Sequence, residues 1–211
     1  MTTLPDALLL MGRHCPYCPT VLKHLQALQT EGTIGKLETV VLEENPERAA
    51  ELGVRSVPWV RIGPFELVGL RSLQELREWA QQSNSTAGMS RYLEELLNTG
   101  NIAACLSLIQ KDPETLRALL SLFADPDTEL NTRIGISAIM ETLEGNGILL
   151  NVLDELVTLT GHSEPGIRAD ACHFLALTGD QKAKAAIRQL QDDPDPNVRE
   201  LANELYPALD S

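Results

Sequence analysis

Aromatic side chains are scarce in this chain: Phe, Tyr and Trp make up 4% of the 211 residues, against 43% hydrophobic residues overall. The interior must therefore be mainly aliphatic, which favours packed helices over a sandwich or barrel. Long apolar runs are missing too. No stretch approaches the roughly 20 residues that cross a bilayer as a helix, so no membrane association is expected. Ala7–Met11 is apolar, but it is short and lacks the basic flank of a secretory leader. Basic charge is in deficit, with 17 Lys and Arg against 30 Asp and Glu and a net charge of -13. Residues 1–83 carry eight basic and ten acidic side chains, and residues 84–211 carry nine and twenty. An acidic second half repels phosphate backbones and anionic lipid, so nucleic acid is not an expected partner. Solubility and attraction of a basic partner both account for that charge. Cysteine is rare, with four in all, and the expected location is cytoplasmic. Four cysteines in a reducing compartment are not a disulfide framework, and a close pair there reads as redox or metal chemistry.

What is present divides into two patterns. The first third alternates strand and helix signals. Ala7–Met11 reads as a buried strand, and Val21, Leu22, Leu25 and Leu28 recur at helical spacing from about Pro16 to Thr30. Leu37–Leu42 alternates and is β-branched, as a strand does. Asn45-Pro46-Glu47 starts a short helix that Gly53 stops. Val57–Ile62 and Phe65–Val68 form a hairpin about Gly63-Pro64, and Ser72 with Glu75 caps a last helix bearing Leu73, Leu76 and Trp79. The order β-α-β-α-β-β-α implies a parallel pair of strands and a terminal antiparallel hairpin.

Gln81–Gly88 is polar and small, and strand signals vanish beyond it. The expected division is a redox domain over 1–83, a linker over 84–89 and a helical domain over 90–211. In the last of these, Asp125-Pro126-Asp127, Ser163-Glu164-Pro165 and Asp193-Pro194-Asp195-Pro196 each precede a helix with Ile or Val near an arginine. Those arginines, Arg133, Arg168 and Arg199, are 35 and 31 residues apart. Such a period implies stacked helix pairs, each too small to bury its apolar face alone. A ladder of these arginines through the preceding aspartates would tie the repeats together. His162 and His173 are isolated, and Cys105 and Cys172 sit among apolar helix residues as core thiols.

The chemistry gathers at Cys15-Pro16-Tyr17-Cys18. A Cys-x-x-Cys pair between a strand and a helix places the first sulfur by unpaired N–H groups, which stabilise a thiolate. Cys15 is then the attacking nucleophile and Cys18 the resolving one. His14, if protonated, or Arg13 would lower the thiol pKa further, or both are solvated residues at a strand end. About forty residues on, Ser56-Val57-Pro58-Trp59 precedes the hairpin. A cis peptide at Pro58 would turn the backbone toward the dithiol, and the Val57 peptide group could pair with an incoming strand. Trp59 is hairpin core or a contact surface. The other chemistry open to the pair is metal binding, in which two thiolates supply half a tetrahedral zinc set; an iron–sulfur site shared by two chains is a further variant.

Cys15-Pro16-Tyr17-Cys18-Pro19, with Gly53-Val54-Arg55-Ser56-Val57-Pro58, resembles the thioredoxin superfamily over residues 5–82, specifically its glutaredoxin-sized members. It is also similar to thioredoxin-like domains of protein disulfide oxidoreductases and of the alkyl hydroperoxide reductase flavoprotein. The resemblance implies a central sheet with flanking helices and disulfide exchange at Cys15 and Cys18. It also implies substrate contacts from His14, Tyr17, Val57 and Pro58, with no metal and no cofactor. Met11-Gly12-Arg13-His14 lacks the lysine of glutaredoxins, and no acidic residue follows Gly69 in Val68-Gly69-Leu70-Arg71-Ser72, which argues against glutathione as partner. The second half resembles HEAT-like repeats, on Asp125-Pro126 through Arg133, Pro165 through Leu175 and Asp193-Pro194 through Leu205. That resemblance implies an α-helical solenoid that binds proteins. The expectation is a thiol–disulfide oxidoreductase that acts on protein disulfides and recruits them through the helical module. The alternative is a redox-sensing adaptor whose array binds a partner protein without turnover.

Overall fold

The computed structural model describes residues 3–208 and separates into two compact units, residues 1–89 and 90–211. In the first, β1 (Ala7–Met11), α1 (Cys18–Thr30), β2 (Leu37–Val41), α2 (Pro46–Glu51), β3 (Trp59–Ile62), β4 (Phe65–Val68) and α3 (Leu73–Gln82) follow in the order the sequence implies. The sheet runs β2-β1-β3-β4; β1 is parallel to β2 and antiparallel to β3, and β3 and β4 form the hairpin. As the inner strand between β2 and β3, β1 is apolar at every position and buried on both faces. Leu8, Leu10, Val40 and Trp59 fill one face, packed by Leu42, Leu52, Val54 and Val57. On the other, Phe65 meets Trp79 of α3 edge to face at 4.9 Å, and α1 packs beside α3. Trp59 is thus core, not contact surface.

Some boundaries shift from the sequence reading: β2 ends at Val41 instead of Leu42, and the expected linker 84–89 is helical from Thr86. The hairpin strand starts at Trp59 instead of Val57, since Pro58 has no N–H to give a ladder. Helix α1 starts at Cys18 instead of Pro16, and Pro19 takes the early helical position that suits proline. Helix α3 carries the complete capping box: the Ser72 hydroxyl accepts from the Glu75 N–H at 3.2 Å, and Glu75 accepts from the Ser72 N–H at 2.8 Å.

Residues 86–98 are helical (α4, Thr86–Asn98), and the division between the units falls within this helix. The rest of the second unit is helical: α5 (Ile102–Lys111), α6 (Thr115–Phe123), α7 (Leu130–Thr142), a 3-10 turn (Ile148–Val152), α8 (Leu153–Leu159), α9 (Pro165–Ala176), α10 (Gln181–Leu190) and α11 (Pro196–Ala208). Gly135 lets α7 come close to α4, because a Cβ there would lie 2.8 Å from a Leu97 methyl. The chain is therefore a small α/β unit followed by an all-α one. Among the described residues, no helix is long and apolar enough to cross a membrane.

The three arginines act locally first. Arg133 donates to the carbonyls of Phe123, Asp125 and Thr128, Arg168 to those of His162 and Ser163, and Arg199 to those of Asp193 and Pro194. Each thereby ties the loop that precedes its own helix. The expected ladder to preceding aspartate side chains does not form among the described residues; Arg168 instead holds Asp193, which follows it in the chain, with two bonds of 2.8 Å, and the pair is buried. Among the described residues Arg133 makes no matching pair. Asp193 stands six residues before Arg199, whereas the residue six before Arg168 is His162.

The Arg168 hydrogen bonds hold the Asp193 carboxyl below the ordinary aspartate range, against an opposing effect of burial. A depressed carboxyl stabilises the fold above its unfolded-state pKa and loses that contribution as pH falls through its folded value. Arg168→Met, which strands the buried carboxylate, should lower the urea-unfolding free energy by roughly 3–5 kcal/mol at neutral pH. Its deficit against wild type should shrink as pH falls below about 4, near the ordinary aspartate value. A deficit independent of pH would show that the ion pair is not its source.

Candidate functional site

The end of β1 and the start of β3 lie side by side, because Leu10 pairs with Trp59 in the antiparallel register. The chain leaving β1 turns through Gly12 and the exposed pair Arg13 and His14, and the Cys15 N–H donates to the Gly12 carbonyl at 3.2 Å. Cys15 and Cys18 are joined as a disulfide, with Cα atoms 5.5 Å apart. The two sulfurs differ in access. Cys18, the first residue of α1, is wholly buried, whereas Cys15 is partly exposed. The Cys18 N–H points at the Cys15 sulfur, 3.2 Å away. That N–H has no intrahelical acceptor, so it is available to a negative charge on the sulfur.

The Val57–Pro58 peptide is cis. The Val57 carbonyl oxygen lies 3.7 Å from the Cys15 sulfur, and the Val57 N–H has no hydrogen-bond partner among the described residues. Pro58 is buried, and its carbonyl accepts from the Gly69 N–H at 2.9 Å. The structure thus brings Cys15, Cys18, Val57 and Pro58 into one place from two segments 42 residues apart. Tyr17 is 53% exposed beside them.

The charges around the pair differ from the sequence reading. Arg13 does not serve Cys15: its guanidinium donates to Glu44 at 2.6 Å, and its N–H donates to Glu43 at 2.9 Å. The Glu43 carboxyl is held below the ordinary range by its own N–H and that of Arg13, with the charges of Arg13 and His14 adding to the effect. Both glutamates escape a linear reading because they come from the end of β2, thirty residues away. Val68 and Leu70 were missed as well. They flank Gly69, which is bonded to Pro58, and both are half exposed. For Val68 a signal existed, since strand parity puts it on the same face as Trp59 at the outer edge of the sheet.

The remaining thiols are of another kind. Burial pushes Cys105 up to about 11 and Cys172 up to about 12, and both are fully enclosed. Among the described residues, no group of three or more His, Cys, Asp or Glu is placed to hold a metal ion.

Residues 7–81 match the family model described as a thioredoxin domain. No curated protein matches the chain. The match and the Cys15–Cys18 pair together support a thioredoxin-like domain and a redox type of chemistry in the first unit.

The contrast among the four sulfurs gives a direct test. After reduction, iodoacetamide at neutral pH should alkylate Cys15 first, and Cys18, Cys105 and Cys172 only after denaturation. Peptide mass mapping reads the order; early labelling of Cys172 would contradict its burial.

Proposed function

We propose that the protein is a thiol–disulfide oxidoreductase that exchanges disulfides with protein substrates through Cys15 and Cys18. The observation that carries this reading is the asymmetry of the pair: a partly exposed Cys15 sulfur faced by an amide N–H, bonded to a Cys18 that solvent does not reach. In the reduced protein, the Cys15 thiolate attacks a substrate disulfide. A bond forms between Cys15 and one substrate sulfur, and the other substrate sulfur leaves as a thiolate. Cys18 then loses its proton and attacks the Cys15 sulfur, which restores the intramolecular disulfide and expels the second substrate thiolate. Two electrons pass from the dithiol to the substrate. A dithiol reductant recharges the pair by the same steps, and with the electron flow reversed the protein oxidises substrate thiols.

The Val57 peptide group, with a carbonyl beside the sulfur and an unused N–H, is suited to align an extended substrate segment next to Cys15. Buried Pro58 anchors that loop, and exposed Tyr17 and His14 border the segment's path. No acidic residue stands among Leu70, Arg71 and Ser72 directly after Gly69, which argues against glutathione as the partner. The second unit is read as a HEAT-like recruiting module, supported by the recurring arginine-to-loop bonds at Arg133, Arg168 and Arg199. A division at 84–89 before that module belongs to the same reading, with residues 86–89 helical. A cytoplasmic location fits one exchanging pair beside two core thiols left unpaired.

Insulin reduction driven by dithiothreitol tests the reading. Wild type should turn over, and Cys15→Ser should not. Cys18→Ser should still attack but stall as a mixed disulfide, seen as a reductant-sensitive adduct on a non-reducing gel. Absence of Cys15-dependent turnover with any protein disulfide would leave the sensing adaptor as the better account.

A further inference from the structure

Around its three arginines the second unit repeats a common pattern of burial. The residue before each arginine (Thr132, Ile167, Val198) and the third after it (Ile136, Ala171, Ala202) are buried in all three helices. The third before and the first after are Pro165 and Ala169 in α9, and Pro196 and Glu200 in α11. In α7 they are Leu130 and Ile134, 72% and 59% exposed and four residues apart on one helix face. Two sister helices form without a large apolar side chain at either place, so packing does not account for this pair.

Arg133, which lies between the two in sequence, lines a cleft of about 240 Å³ together with Pro126, Glu164, Gly166, Ile167 and Asp170. Where Arg168 meets Asp193, the counterpart of that aspartate for Arg133 is His162, whose Nδ1 instead accepts from the Glu164 N–H. Arg133 spends its donors on loop carbonyls. The side chain of Asp170, half-buried, makes no hydrogen bond or ion pair among the described residues. Burial raises its carboxyl above the ordinary range even though the charges of Arg133 and His173 oppose this. Glu164 adds a second, exposed carboxylate.

We propose that this cleft, with the Leu130–Ile134 ridge, docks a short basic and apolar peptide segment of a partner protein. A Lys or Arg of the segment enters toward Asp170 and Glu164, and flanking aliphatic side chains cover Leu130 and Ile134. Charge selects this occupant: residues 84–211 hold twenty acidic side chains against nine basic ones, and the cleft adds two carboxylates to one committed guanidinium. The inference rests on the reading of the second unit as the recruiting module and gives that module a specificity.

The test uses the reduced full-length chain and two fluorescein-labelled amphipathic peptides, one of Leu and Lys and one of Leu and Glu, followed by anisotropy. The Leu–Lys peptide should bind and the Leu–Glu peptide should not. Asp170→Asn and the double variant Leu130→Ser/Ile134→Ser should each weaken binding about tenfold, as loss of a buried charge or an apolar anchor does. Leu150→Ser, at an exposed apolar residue away from this cleft, and Glu204→Gln, at a remote acid, should leave it unchanged. Circular dichroism checks that each variant keeps its helices, and Glu164→Gln serves if Asp170→Asn does not. No binding, equal loss with Glu204→Gln, or binding of both peptides would overturn the proposal. So would a dimer in gel filtration that Leu130→Ser/Ile134→Ser dissolves, since a second copy would then be the occupant. Insulin reduction by the same variants keeps the two readings apart: peptide binding without turnover sinks the oxidoreductase alone, and turnover without binding sinks the docking site alone.

Discussion

Everything at the redox end of this molecule depends on the antiparallel register between β1 and β3. Leu10 opposite Trp59 brings the exit of one strand to the entrance of the other, so a loop carrying Cys15 and a loop carrying Val57 and Pro58 must meet. The register holds because a one-residue slip would turn Leu8, Leu10 and Trp59 out of their shared apolar face. Chemistry that looks local to four residues is therefore secured by a sheet buried on both sides. The Cys15 sulfur takes its closest polar neighbours from both segments: the Cys18 N–H from its own loop, and the Val57 carbonyl from across the sheet.

The second unit is built on another principle, a side chain that reaches backward. Arg133, Arg168 and Arg199 each bond to the loop before their own helix and so fix how one helix enters after another. The Asp-Pro breaks assist, because Asp125 and Asp193 accept from the N–H two residues on and hold the turn. The stability of this unit is distributed over many such joints and an aliphatic interior, in keeping with the scarcity of aromatics. Phe123 packs against Phe174 edge to face at 5.2 Å, and Tyr92 is another buried aromatic side chain in this mainly aliphatic interior.

Much of this was legible in the chain because the signals were short-range. The capping box at Ser72 and Glu75, the strand alternation, and the prolines at Pro46 and Pro165 speak through contacts within one turn. The disulfide-forming pair and its cis-proline neighbour were legible for a different reason: those residue types in that spacing have few other uses. Arg13 was left between two readings because its partners, Glu43 and Glu44, arrive from the turn after another strand, and no local pattern marks that meeting. The ladder was over-read for a related cause. Periodic arginines announce themselves in sequence, but a rung also needs a carboxylate on the next repeat, and His162 occupies that place once.

The ion pair between Arg13 and Glu44 has a consequence for how steady the redox centre is. An exposed cation beside a thiolate loses its influence as salt is added, over a distance of about 10 Å at moderate ionic strength. Here that cation is already committed to a glutamate, and the group aimed at the Cys15 sulfur is a main-chain amide. An amide dipole is fixed by covalent geometry, does not titrate, and cannot be competed away by a passing counter-ion. The polarity that the sulfur experiences is set by backbone, and so is insulated from the ionic weather of the surrounding solution.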